Sequence, residues 1–140
     1  MQVSQVMTSR PEFTDANVSI QDVAQRMLEQ ESGFVPIADD ENLVGVITDR
    51  DMALRTLAQG KSGDDKISTI MTRDILFCYE QDEITEVLRK MRENQVQRLI
   101  VLDNPNDKDF IGVVSLSDIA DKCDSAEMAK RIVECCKHYR

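Results

Sequence analysis

The chain has 140 residues, 41% of them hydrophobic and 31% charged, with a formal net charge of −9. That is enough to bury a sizeable core, as one compact domain or two intimately joined small ones. The acidic balance excludes a general phosphate-backbone binder, which needs a basic face to release counterions, so no nucleic-acid partner is expected. No apolar run reaches the length of a membrane span, and the N-terminus lacks the basic and apolar regions of a signal peptide. A cytoplasmic protein without a membrane partner is expected.

The chain opens on Val3-Ser4-Gln5-Val6-Met7-Thr8, and this segment returns 64 residues later as Ile67-Ser68-Thr69-Ile70-Met71-Thr72. In the same register Phe13 meets Phe77, Ile20 meets Ile84, Val23 meets Val87 and Met27 meets Met91. The chain is therefore an internal duplication. A unit of about 60 residues has a poor ratio of buried to exposed surface, so the two copies are expected to pack together and share a core.

Each copy predicts the same order: strand, helix, strand, strand, helix. A short opening strand is expected near Glu12 to Thr14 and again near Ile75 to Cys78. Ile20, Val23, Ala24, Met27 and Leu28 recur at helical spacing, as do Ile84, Val87, Leu88 and Met91. The first of these amphipathic helices starts at Ser19 and the second near Asp82. The β-rich runs Phe34 to Ala38 and Arg98 to Leu102 follow, then turn residues from Asp39 and from Asp103, then apolar runs from Leu43 to Ile47 and Phe110 to Val114. These pairs read as hairpins. A second helix begins around Asp49 or Ser117. The expected organisation is repeat 1 over residues 1–59, a polar, glycine-containing linker over 60–66, repeat 2 over 67–123 and a C-terminal helix over 124–140.

Cys78, Cys123, Cys135 and Cys136 form no C-x-x-C pair, and the only histidine, His138, stands near the chain end. Reduced thiols and no metal site are expected.

The sharpest local signal is Gly45-x-x-Thr48-x-x-Asp51, repeated as Gly112-x-x-Ser115-x-x-Asp118. At a strand end the glycine lets another group approach the backbone closely, and the hydroxyl can donate to a phosphate at the helix start. An aspartate one turn into the helix can accept two hydroxyl hydrogens at once, which suits a ribose diol. The same spacing also describes a helix capping box, and both readings stand on the residues alone.

The order of elements, the two Met-Thr openings, the Phe-Val-Pro-Ile run and Gly-x-x-Thr-Asp-Arg-Asp resemble a tandem pair of cystathionine β-synthase (CBS) domains, a Bateman module of the stand-alone bacterial type. The resemblance runs from about Val3 to Asp124. It implies an α+β fold of two CBS repeats packed about a pseudo-two-fold axis. It also implies a non-enzymatic regulatory sensor that binds an adenosine-containing ligand in the inter-repeat cleft and changes conformation or association. AMP, ADP, ATP, S-adenosylmethionine or an NAD(H)-type molecule is the ligand implied, with no cofactor required. Residue by residue, it makes Asp51 and Asp118 the ribose acceptors, Thr48 and Ser115 the phosphate hydroxyls, and Arg50 a phosphate cation. Arg98 becomes a ligand-facing base whose first-copy equivalent is Phe34. Pro36 and Ile37, with their neighbours, become adenine contacts whose other reading is plain core. Homodimerisation through helices and a regulated protein partner are further implications. The second copy has Leu116 and Ser117 where the first has Asp49 and Arg50, so unequal clefts are expected.

Two rivals remain. One is a ligand-free structural dimerisation module; the other is a catalyst using Asp49, Asp51 and Asp118. Gly60-Lys61-Ser62 does not complete a P-loop because Arg55 stands where glycine is required. The loop from Asp103 lacks the calcium-loop glutamate, and the only histidine a catalytic triad could use, His138, lies in the terminal tail.

Overall fold

The computed structural model describes residues 1–9 and 12–137. Among them the strands are β1 (Thr8–Ser9), β2 (Thr14–Asp15), β3 (Phe34–Asp39), β4 (Asn42–Thr48), β5 (Phe77–Tyr79), β6 (Arg98–Leu102) and β7 (Phe110–Ser115). The helices are α1 (Ile20–Gln30), α2 (Asp49–Arg55), α3 (Ile84–Asn94), α4 (Leu116–Asp121) and α5 (Ala126–Lys137). This is the α+β order expected of each copy. The differences lie at the short strands: β1 was not expected, and β2 and β5 each lie a residue or two beyond the expected runs.

The long helices form where the apolar period is helical, and α1, α2 and α4 each start on a side-chain cap, whereas α3 starts on Glu83 without one. Ser19 Oγ accepts from the Asp22 amide at 3.1 Å to start α1, whose buried stripe is Ile20, Val23 and Met27. Carbonyls of the linker extend that cap. Asp65 O accepts from Ile20 N at 2.9 Å and Gly63 O from Gln21 N at 3.0 Å, satisfying first-turn donors that a helix cannot pair internally. Both α1 and α3 stop on a left-handed residue, Glu31 and Gln95, at matching places in the two copies.

By their contacts the residues divide into two compact units, 12–75 on the one hand and 1–9 with 76–137 on the other. In the first unit β2 runs parallel to β3, and β3 pairs antiparallel with β4. In the second, the sheet order is β1-β7-β6-β5, with β5 parallel to β6 and the other pairs antiparallel. The opening segment of each repeat thus lies in the unit that holds most of the other repeat. β1 pairs with β7, Thr8 opposite Val113 and Ser9 opposite Gly112. Correspondingly, Thr72 and Val46 exchange backbone hydrogen bonds of 2.8 and 2.9 Å.

The physical cause is burial. Val3 and Val6 belong to the core formed by Ile84, Val87, Leu99, Val114 and Ile119, whereas Ile67, Ile70 and Met71 belong to the core of Ile20, Val23, Ile37 and Ile47. The motif glycines make room for this docking. A Cβ on Gly112 would stand 2.6 Å from the Thr8 carbonyl oxygen, and one on Gly45 would stand 2.6 Å from Met71 Sδ and 2.9 Å from the Thr72 carbonyl oxygen. The close approach expected at these glycines is therefore made by the Met-Thr segments.

Helix α5 has no counterpart in the unit of residues 12–75. It packs on α3 and α4, with Met128, Ile132 and Cys135 against that core and the Cys135 thiol donating to Leu88 O at 3.2 Å. Among the described residues no helix is long and apolar enough to cross a membrane.

Candidate functional site

Each unit carries the same junction, a strand that ends on a hydroxyl residue and passes directly into a short helix. Thr48 has extended backbone, and its Oγ1 accepts from Asp51 N at 3.1 Å while its own amide donates to Asp51 Oδ2 at 3.1 Å. Ser115 and Asp118 repeat this at 3.0 and 3.1 Å. The capping-box reading is therefore realised in both copies. It does not consume the acid. A carboxylate has about four acceptor positions, and the box occupies one of them, so further acceptors remain on each aspartate.

Strand register sets the residue beside each hydroxyl. Phe34 lies opposite Thr48 across β3 and β4, and Arg98 lies opposite Ser115 across β6 and β7. An aromatic in one unit thus stands where the other has a guanidinium, as the sequence register indicates. Pro36 and Ile37 separate in the structure. Pro36 lines a hollow in the unit of residues 12–75, together with Glu12, Phe13, Thr14, Arg26, Gln30, Phe34 and Val35. Ile37 is fully buried in that unit's core. Arg50 is exposed in the first turn of α2, its amide donating to Asp49 Oδ1 at 2.9 Å.

The hollow encloses about 40 Å³, well short of the ~300–1,000 Å³ range of small-molecule sites. Its wall joins the opening strand region to the Phe34-Val35-Pro36 run, as the resemblance implies for a base-binding slot. Arg26 Nη1 donates to Thr14 Oγ1 at 3.0 Å, and Gln30 Nε2 donates to Glu12 Oε2 at 2.8 Å. Sequence reasoning overlooked Arg26. Its register partner is Lys90, which donates to the Phe77 carbonyl and stands 5.2 Å from that ring's centre. A cation at the same helical position in both copies was the available signal.

Arg55 was also overlooked as a site residue. Its Nη2 stands 3.3 Å from Asp51 Oδ1, and its Nη1 donates to Ile70 O at 2.7 Å and to Thr72 Oγ1 at 3.0 Å. The spacing of four residues after an acid on a helix pointed to the ion pair, but nothing local pointed to residues 70–72.

Cys78 takes the place of Thr14 in the second copy, beside Asp82 and Lys90. Burial, reinforced by the Asp82 carboxylate and opposed by the Lys90 ammonium, pushes its thiol up to about 12. A thiol so protonated is a poor nucleophile at neutral pH. Among the described residues no cluster of three or more His, Cys, Asp or Glu side chains could hold a metal ion. His138 lies outside the described residues.

A duplicated α+β unit with a hydroxyl-capped acid at each strand–helix junction defines a tandem-repeat class of protein. The family profile described as the CBS domain matches it twice, over residues 3–56 and 67–125, and the chain belongs to that family as a CBS pair. It is 32% identical over 118 residues to the CBS domain-containing protein YhcV of Bacillus subtilis, a match covering 84% of this chain and 82% of YhcV. In fold it is similar to the CBS domain protein TA0289 of Thermoplasma acidophilum, with a TM-score of 0.83 at 23% identity over 99% of this chain and 78% of that one. It is also similar to the CBS domain pair of protein MJ0100, solved in complex with 5′-methylthioadenosine and S-adenosyl-L-methionine. That TM-score is 0.78 at 28% identity, covering 87% of this chain and 94% of that one.

Proposed function

We propose that this CBS pair is a non-catalytic regulatory module that binds an adenosine-containing ligand and responds by a change of conformation or association. CBS domains are generally regulatory, and the MJ0100 pair was solved with two adenosine compounds. The observation that carries the reading is the twin junction, where Thr48 with Asp51 and Ser115 with Asp118 each present a hydroxyl and an acid with spare acceptors. On this reading Asp51 and Asp118 accept the ribose hydroxyls, Thr48 and Ser115 donate to phosphate or its equivalent, and Arg50 and Arg98 neutralise an anionic group. Phe34 and Pro36 flank the base, and Ile37 supports that wall from the core.

Thermal melts with AMP, ADP, ATP, S-adenosylmethionine and NADH test it. A ligand that binds only the folded state, at about 100 times its dissociation constant, adds about 2.7 kcal/mol, which raises Tm by several degrees. If none of the five moves Tm, the ligand-free dimerisation module takes its place.

Self-association is part of the same reading. Leu28 on α1, Leu54 on α2 and Leu57 just beyond α2 are 77%, 49% and 82% exposed, whereas α5 covers α3 and α4 in the other unit. Three exposed leucines on or just beyond one pair of helices suit a partner surface, and Val133 on α5 is exposed as well. Sedimentation equilibrium is expected to give a homodimer, and Leu57→Glu to shift it towards monomer; a monomeric parent protein would remove this part.

A further inference from the structure

We infer that Arg55 is a positioning residue that joins the Asp51 carboxylate to the docked segment Ile70–Thr72, so that a vicinal diol held at Asp51 and the docking of that segment reinforce each other. The ligand half of this inference rests on the function proposed above. The geometry stands by itself. One guanidinium has two fixed edges of donors, and here one nitrogen engages Ile70 O and Thr72 Oγ1 while the other faces Asp51 Oδ1.

The Asp51 side chain is thereby held at both oxygens, Oδ2 by the Thr48 amide and Oδ1 by Arg55. Each oxygen keeps one further lone pair, so the carboxylate is fixed in orientation and still able to accept two hydroxyl hydrogens. Fixing it in advance lowers the ordering cost of binding. The other end of the link is a backbone attachment. Thr72 exchanges two hydrogen bonds with Val46, and Ile70 and Met71 are core residues. Residues 70–72 are also the last docked part of the unit before the chain passes at Leu76 into the other one.

The second copy lacks the link. Lys122 stands four residues beyond Asp118, is exposed, and no ion pair to Asp118 is present among the described residues. Of the two acids, Asp51 is therefore the one whose occupancy is tied to the chain segment joining the units. Because coupling is reciprocal, a ligand that orders Asp51 must strengthen docking of residues 70–72 by the same factor that their docking strengthens its binding.

Hydrogen exchange on the full chain tests this, read in peptides covering residues 67–75 and, as the internal control, residues 3–9. Without ligand, Arg55→Gln is expected to speed exchange of 67–75 about fivefold or more, with 3–9 unchanged. Asp51→Asn is expected to speed it less, and the double variant to fall short of the product of the two, the signature of a shared link. With saturating AMP as the probe, the parent protein is expected to slow in 67–75. Arg55→Gln and Arg55→Lys, the latter keeping the charge without the fork, are expected to bind AMP without that slowing. Arg55→Lys carries the test if Arg55→Gln does not fold. Unchanged exchange in unliganded Arg55→Gln, or ligand-dependent slowing retained in Arg55→Lys, overturns the inference. If the unliganded variants show the link but AMP does not bind the parent protein, the positioning role stands and the ligand half falls with the proposed function.

Discussion

Gly112→Ala is expected to destabilise the unit formed by residues 1–9 and 76–137 by about 1–3 kcal/mol, the cost of forcing an atom into packed space. The added Cβ would stand 2.6 Å from the Thr8 carbonyl oxygen, with Met7 Sδ at 3.2 Å. The nearest atom is backbone. It cannot swing aside, so β1 must shift from β7, taking with it the Thr8–Val113 and Ser9–Gly112 pairing. Gly45→Ala is expected to cost less, because the atom nearest its Cβ is the flexible Met71 sulfur, although the Thr72 carbonyl follows at 2.9 Å. Calorimetry is the check, with Tm lowered by several degrees in Gly112→Ala. An unchanged Tm would mean that the opening segment is not docked there in solution.

The second large effect separates the two duties of Asp51. Asparagine at this position keeps a side-chain carbonyl that can accept from the Thr48 amide, so the helix cap survives. It gives up the negative charge and half of the acceptors offered to a diol. Hydrogen bonds to a charged group are worth about 1.5–3 kcal/mol, and 1.4 kcal/mol is tenfold in affinity. Asp51→Asn should therefore weaken ligand binding about tenfold or more by titration calorimetry with little change in Tm. Asp51→Ala should weaken it similarly and also lose about 1 kcal/mol of stability with the hydrogen bond that the Thr48 amide donates to the carboxylate. Were affinity untouched in both, the acid would be a cap and nothing more.

Much of the fold was legible because it rests on short-range patterns. The apolar runs over Arg98–Leu102 and Phe110–Val114, the helical spacing of Ile84, Val87, Leu88 and Met91, and the capping signal at Ser19 all act within one element, and the structure contains each of them. What was not legible was which copy each opening segment joins. Val3, Val6 and Met7-Thr8 have nearly the same chemistry as Ile67, Ile70 and Met71-Thr72, so either could fill either core. Only long-range geometry chooses. The same limit hid the contacts of Arg55 with Ile70 and Thr72, fifteen and seventeen residues along the chain. It also left Pro36 and Ile37 undivided, although adjacent strand residues point to opposite faces and only one of them lines the hollow. The glycine of each motif was rightly read as a place of close approach, but the approaching partner is the protein's own backbone.

The trading of opening segments means that neither repeat is a self-sufficient module. Severing the chain between 56 and 67, where the family matches leave a gap, would strip Ile67, Ile70 and Met71 from the body they complete and strand them on the other piece. Trimming the first nine residues would injure the far half of the polypeptide rather than the near one. A gene duplication that arrived at this arrangement has made its two descendants inseparable, each holding a piece of its sibling's interior.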